Sequence, residues 1–162
     1  MIPDRIRALG APAAALAGDL AALLARLTIG QAFALTGLGK LKNHEGTTQF
    51  FTSLHIPAPG LHAYAIGGLE LVGGCLLILG LGVRPSAFLL LGTMAVAILT
   101  ADSEAFSAAL TISPDKGLTD VVPWMFAIVL LPLLAHGGGR VALDPLVRRM
   151  CGKSPSPHPT SV

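Results

Sequence analysis

Four apolar stretches, each near the length that crosses a lipid bilayer, constrain this chain more than any other feature of its sequence. A crossing helix needs about 20 residues. The stretches run from about Asp19 to Leu41, Leu61 to Gly82, Pro85 to Ala101 and Leu118 to Ala135. The third is the shortest and would span with little tilt. Only 12% of the 162 residues are charged, against 52% hydrophobic. That is about half the charged share of a soluble domain, too little to cover a water-facing surface. The expected fold is therefore an all-α membrane protein, a four-transmembrane-helix bundle forming one domain over 1–145. Residues 146–162 make a tail, expected to be disordered from 153, where prolines and serines alternate.

Orientation follows from the basic residues, which are retained on the cytoplasmic side. Arg5, Arg7, Arg84, Arg140, Arg148, Arg149 and Lys153 fall at one end of the bundle; Lys40, Lys42 and Lys116 fall at the other. Both termini are thus expected in the cytoplasm. The run of alanines after Arg7 is too short and too interrupted by proline to read as a cleaved signal. Between the first two spans, Thr47 or Thr48 is expected to cap a short outer helix lying on the surface. Phe50, Phe51 and Leu54 share a face of it, and Pro57 and Pro59 end it. The stretch from Asp102 to Gly117 reads as a loop, Trp124 as an interfacial anchor, and Pro132 as a kink in the fourth helix.

Several classes of function drop out. A net charge of +2, scattered along the chain, does not suggest nucleic-acid binding. Cys75 and Cys151 form no C-x-x-C pair. His44, His55 and His62 belong to the outer loop or its edge but match no standard metal-site spacing, so no metal is assigned. His62 and His136 lie at opposite depths, which excludes a bis-histidine haem. No nucleotide-binding loop or hydrolase motif occurs.

The informative residues are charges inside spans, which cost roughly 2.5–3.5 kcal/mol at the bilayer centre unless paired. Arg26 and Glu70 qualify, with Lys40 near the outer end of its span. Arg26, Gly30, Phe33, Gly37 and Lys40 are spaced to share one helix face, as are Ala63, Gly67, Glu70, Gly74 and Leu77. Facing the two stripes together packs Gly30, Gly37, Gly67 and Gly74 between helices and turns Glu70 toward helix one. Side chains lean toward the N-terminus of their own helix, so Glu70 leans away from Arg26 while Lys40 leans toward Glu70. Either basic residue remains a candidate partner. Two readings stay open for Arg26, Glu70 and Lys40: charges that fasten two helices, or a small polar pocket that binds a quinone head group or relays protons.

At these residues the chain resembles the DoxX family of small four-helix bacterial membrane proteins. The likeness runs from Leu24 through Arg26 to Gly30, then Phe33, Gly37, Lys40, Phe51, Ile56-Pro57 and Glu70 to Gly74. It continues through Leu79 to Ala87, Met94 and Ala97, and closes at Gly139-Arg140 and Leu143-Asp144. The resemblance implies an inner-membrane location, with family-typical charges at Arg26, Lys40, Glu70 and, on the cytoplasmic edge, Arg84, Arg140 and Asp144. It also implies a membrane subunit of a quinone-linked oxidoreductase or redox-stress system, incomplete as an enzyme by itself. The alternative is a non-catalytic anchor or assembly partner for a redox protein. The implied partners are the bilayer, a redox protein and, left open, a second copy of the chain; the implied cofactor, if any, is a quinone. Relatives often open helix four with an acidic residue or tyrosine, where this chain has Val121-Val122-Pro123-Trp124.

Overall fold

The computed structural model describes residues 4–111, 117–139 and 141–144, with side chains described from Ala15 onward, and the described residues are helical with no strand. Six α-helices follow in order: α1 (Asp4–Lys42), α2 (His44–Ser53), α3 (Pro59–Leu79), α4 (Val83–Thr100), α5 (Ser103–Leu110) and α6 (Val122–His136). Three of them are long and apolar enough to cross a membrane: the Ala15–Lys42 part of α1, α3 and α4. The fourth expected span, α6, is apolar but only 15 residues long.

Glycine and proline chemistry sets where the helices start and stop. α3 ends at Leu79, short of the expected Gly82, because Gly80 and Gly82 both take left-handed backbone, at φ 72° and 55°. Glycine adopts that region without the steric cost a side chain would incur. Pro85 sits inside the first turn of α4, where its missing amide hydrogen costs no helix bond. Leu118–Asp120 form a 3-10 turn rather than the start of a span, and Pro123 lies at the opening of α6.

Other boundaries depart from the sequence reading. α1 begins well before Asp19 and runs without a break to Lys42. The short helix expected between the first two spans exists as α2, but its cap is Asn43, whose side chain accepts from the Gly46 amide at 3.3 Å. Thr47 and Thr48 lie inside it; the Thr47 hydroxyl donates to the Asn43 carbonyl instead. α2 ends at Ser53, four residues ahead of Pro57, and Pro59 opens α3 rather than closing α2. The expected loop after α4 contains α5, which buries Ala109 and sets Phe106 5.4 Å from Trp124. At eight residues, α5 is too short for a hydrophobic period to mark it.

The packing has two dominant pairs, α1 on α3 and α4 on α6, joined through α3–α4. Glycine allows the first to close backbone on backbone. A Cβ added at Gly74 would lie 2.6 Å from the Gly30 carbonyl oxygen, and one at Gly37 would lie 2.6 Å from the Gly67 carbonyl oxygen. The aliphatic core lies between the pairs, built from Ile29, Phe33, Leu77, Val83, Leu90 and Leu130 among others. Phe33 meets Phe126 edge-on at 5.3 Å and so ties α1 to α6.

Candidate functional site

The tight α1–α3 seam brings Lys40 and Glu70 together. The Lys40 Nζ donates to both Glu70 carboxylate oxygens, each at 2.5 Å. The Glu70 side chain is 2% exposed and that of Lys40 30%. The register of the glycines explains the pairing. With Gly37 set against Gly67, the base of the Lys40 side chain lies over Gly67, one turn from Glu70 on the same face of α3. The lean of both side chains then points them at one another. Of the two basic candidates for Glu70, the structure selects Lys40.

This ion pair lines a cavity of about 110 Å³ that α1, α2, α3 and α4 border and that is open on one side. α2 contributes Phe50 and Phe51, and α4 contributes Thr93 and Met94 across from them. Phe51 and Met94 are buried, whereas Phe50 and Val96 stand at the exposed side. The cavity is therefore apolar and partly aromatic, with one acid and one ammonium on its wall. A wall of this kind has room for an apolar group beside one ammonium donor, that of Lys40. A larger groove of about 710 Å³ lies between α1 and α6, bounded by Ala15, Gly18, Ala22, Ala25, Pro132 and Leu133. Asp19 and His136 also line it, and it lies at the other end of the molecule from the ion pair; the smaller cavity is the one whose wall carries a buried, paired carboxylate.

Arg26 belongs elsewhere. It lies 14 residues before Lys40, about 21 Å along the helix axis, and is 1% exposed. Its guanidinium is held between two backbones. A Cβ at Gly80 would run into the Nη1 atom, and one at Gly138 would lie 2.9 Å from it. Nε and Nη1 have no hydrogen-bond partner among the described residues, and Asp144 is the carboxylate whose charge acts on the group. Asp144 itself caps α4, accepting from the Gly82 amide at 2.7 Å and the Val83 amide at 3.2 Å. A carboxylate at a helix N-terminus satisfies free amides and complements the helix dipole. Its own amide donates to the Gly80 carbonyl at 3.0 Å. Arg84 donates to the Ala135 carbonyl at 3.0 Å and so joins α4 to the end of α6. Arg140 lies outside the described residues.

The structure therefore divides the sequence candidates between two ends. Lys40 and Glu70 meet beside a cavity; Arg26, Arg84 and Asp144 gather where α3 turns into α4 and where α6 ends. The glycines Gly30, Gly37, Gly67 and Gly74 fill the seam that positions Lys40 and Glu70.

A family model described as DoxX matches residues 21–103, just over half of the chain and a stretch that includes Arg26, Lys40, Glu70 and Arg84. The chain belongs to the DoxX family. This DoxX protein is also 33% identical, over 129 residues, to a Bacillus subtilis protein described as "Putative oxidoreductase CatD", covering 80% of this chain and 88% of that one. No solved structure matches it.

Sequence reasoning missed three features of this DoxX protein. The α4 wall of the cavity was not foreseen, since Thr93 and Met94 carry no charge to single them out. The fit of Gly80 and Gly138 around Arg26 joins residues 58 apart in sequence, with no periodic signal between them. The capping role of Asp144 was also hidden, because it reaches back to amides of the α3–α4 turn. Among the described residues no three histidines, cysteines or carboxylates gather as metal ligands; His44 instead stacks on Tyr64 at 3.7 Å.

Proposed function

We propose that this DoxX protein is a membrane subunit of a quinone-linked oxidoreductase, with the quinone head group bound beside Lys40 and Glu70. The observation that carries this reading is a carboxylate 2% exposed, bonded to a lysine at the wall of a small apolar cavity. Buried charge of this kind is expensive in a membrane and tends to mark function. The name of the Bacillus subtilis relative, an oxidoreductase, supports the same class of chemistry.

In this reading the chain crosses the bacterial inner membrane four times, α6 completing the bundle, with both termini cytoplasmic and α2 on the outer face. The Lys40 ammonium donates a hydrogen bond to a quinone carbonyl oxygen and stabilises the negative charge that develops there on reduction. Full reduction to the hydroquinone takes two electrons and two protons. The electrons come from a redox partner protein, because this chain's own residues supply no carrier for them. Lys40 gives one proton to a quinone oxygen, and the second comes from water at the exposed side of Lys40, taken up by the Glu70 carboxylate and passed on to the other oxygen; water then returns a proton to Lys40.

A second reading has its own observation in favour: both Glu70 oxygens are already taken by one lysine. A pair so satisfied is enough to lock α1 to α3 in a subunit that only anchors a redox protein. The two readings separate on purification in mild detergent, with mass spectrometry of bound small molecules and co-purifying proteins. A quinone and a redox partner in the wild type, with the quinone lost in Glu70→Gln, is the result expected. A partner without quinone, unaffected by Glu70→Gln, leaves the anchor and removes the proposal.

A further inference from the structure

We infer that Thr93 accepts a hydrogen bond from a hydroquinone O–H in the cavity beside Glu70, and so favours the reduced form of the ligand over the oxidised one. The inference rests on the quinone reading above and deepens it, since it concerns the oxidation state held at the same site. It follows from where the polar hydrogens of the cavity are already committed. Among the described residues that line it, the polar side chains are Lys40, Glu70, Thr93 and Thr100. An ammonium group carries three hydrogens, and Lys40 directs its own at both Glu70 oxygens. One hydrogen is left for a ligand.

The two threonines have none to give. The Thr93 hydroxyl donates to the Leu90 carbonyl at 2.8 Å, and the Thr100 hydroxyl donates to the Val96 carbonyl at 2.8 Å. Both bonds return to the backbone of their own helix, α4. A hydroxyl has a single hydrogen but two lone pairs, so toward a ligand both oxygens act as acceptors only. Thr100 stands at the exposed side, where water serves it. Thr93 is half-buried, next to the buried Met94. Both Glu70 oxygens already accept from Lys40. Thr93 is therefore the acceptor on this wall that no donor among the described residues engages.

Quinone and hydroquinone differ in the hydrogens their oxygens carry. A quinone carbonyl only accepts, so it takes the free Lys40 hydrogen and has nothing to offer α4. A hydroquinone hydroxyl both accepts and donates, so it takes the same hydrogen and gives its own to Thr93. The reduced form makes one hydrogen bond more. Because the cavity is open on one side, water competes for that bond and holds its effect to about two- to tenfold in affinity. A preference of that size raises the potential of the bound couple by about 10–30 mV. The site then draws electrons onto the quinone, the direction of the reaction proposed above.

Thr93→Val removes the hydroxyl and keeps the shape of the side chain. The probes are tetramethyl-1,4-benzoquinone and its hydroquinone, the second kept reduced under anaerobic conditions. Neither has a ring C–H open to addition by the exposed thiol of Cys75. Binding is measured by equilibrium dialysis to the full chain in nanodiscs, with empty nanodiscs correcting for partition into lipid. The expected result is a hydroquinone bound about two- to tenfold more weakly by Thr93→Val, a quinone bound as in wild type, and a preference restored in Thr93→Ser. Thr93→Ala gives the same answer should Thr93→Val fail to fold. Equal weakening of both forms makes Thr93 a structural residue and overturns the inference. No change in either form, with binding lost in Glu70→Gln, also overturns it and leaves the quinone reading standing. Binding of neither probe to the wild type overturns both.

Discussion

Replacing Gly37 by alanine adds one methyl group at the closest approach of α1 and α3, and its cost can be worked from the geometry. The new Cβ would lie 2.6 Å from the Gly67 carbonyl oxygen and closer still to the Leu71 amide nitrogen. Ordinary contact begins near 3.4 Å, and the Leu71 amide nitrogen would lie at 2.4 Å, so the helices must part by roughly 1 Å. Both obstructing groups are backbone and have no rotamer to retreat into. A gap of that size forfeits about a quarter to a half of the dispersion energy along the seam, and overpacking costs about 1–3 kcal/mol. Alanine returns up to about 1 kcal/mol through its helix propensity, leaving a net loss of up to about 2 kcal/mol. Gly39 supplies the control. It lies two residues on in the same helix, and nothing stands within 4 Å of its missing Cβ. Gly39→Ala therefore keeps the propensity gain without the clash. In detergent, unfolding by added denaturing surfactant and followed by circular dichroism should place Gly37→Ala below wild type and Gly39→Ala level with it or above. Equal midpoints for the two variants would refute the backbone-contact argument, and with it the register that brings Lys40 to Glu70.

Two further predictions concern the opposite end of the molecule. Gly80→Ala should destabilise through two separable causes, a left-handed backbone costing about 1–2 kcal/mol and a clash with the Arg26 guanidinium. Adding Arg26→Leu should relieve the clash alone, so a double-mutant cycle on unfolding midpoints should give a favourable coupling of about 0.5–3 kcal/mol; strict additivity would contradict the packing of Arg26 against Gly80. Asp144→Ala should cost about 0.5–2 kcal/mol by removing the cap of α4. Amide exchange should then rise at Gly82 and Val83, and unchanged exchange at those two amides would exclude the cap.

The helical class and the α1–α3 seam were legible in the sequence because both rest on periodicity. Arg26, Gly30, Phe33 and Gly37 fall on one buried face, as any helix with that spacing must arrange them. The choice of Lys40 over Arg26 as the partner of Glu70 was partly legible, since side-chain lean favoured it. The decisive fact was the register of Gly37 against Gly67, which no one-dimensional pattern contains. Boundaries were less legible. Gly80 and Gly82 end α3 through backbone conformation rather than polarity, so a hydropathy reading runs on past Leu79. The cap at Asn43 lost to Thr47 and Thr48 in the sequence because all three residue types cap helices, and only the chain direction after Lys42 decides among them. Arg26 looked like a site residue for the same reason Glu70 did, its charge. The structure puts it between two glycine backbones, and nothing local in the sequence announces Gly138.

On the proposed reading the two buried charges have different assignments, Glu70 to a ligand and Arg26 to the packing of the other end. The most direct test compares quinone-head binding in Glu70→Gln and Arg26→Gln, each measured in nanodiscs alongside its unfolding midpoint. The account predicts that Glu70→Gln loses most of the binding, tenfold or more, while its midpoint moves less than that of Arg26→Gln. It predicts that Arg26→Gln, where it remains folded, binds as wild type does. Unchanged binding in Glu70→Gln, or a matching loss in folded Arg26→Gln, would contradict the assignment of the site to the Lys40–Glu70 pair.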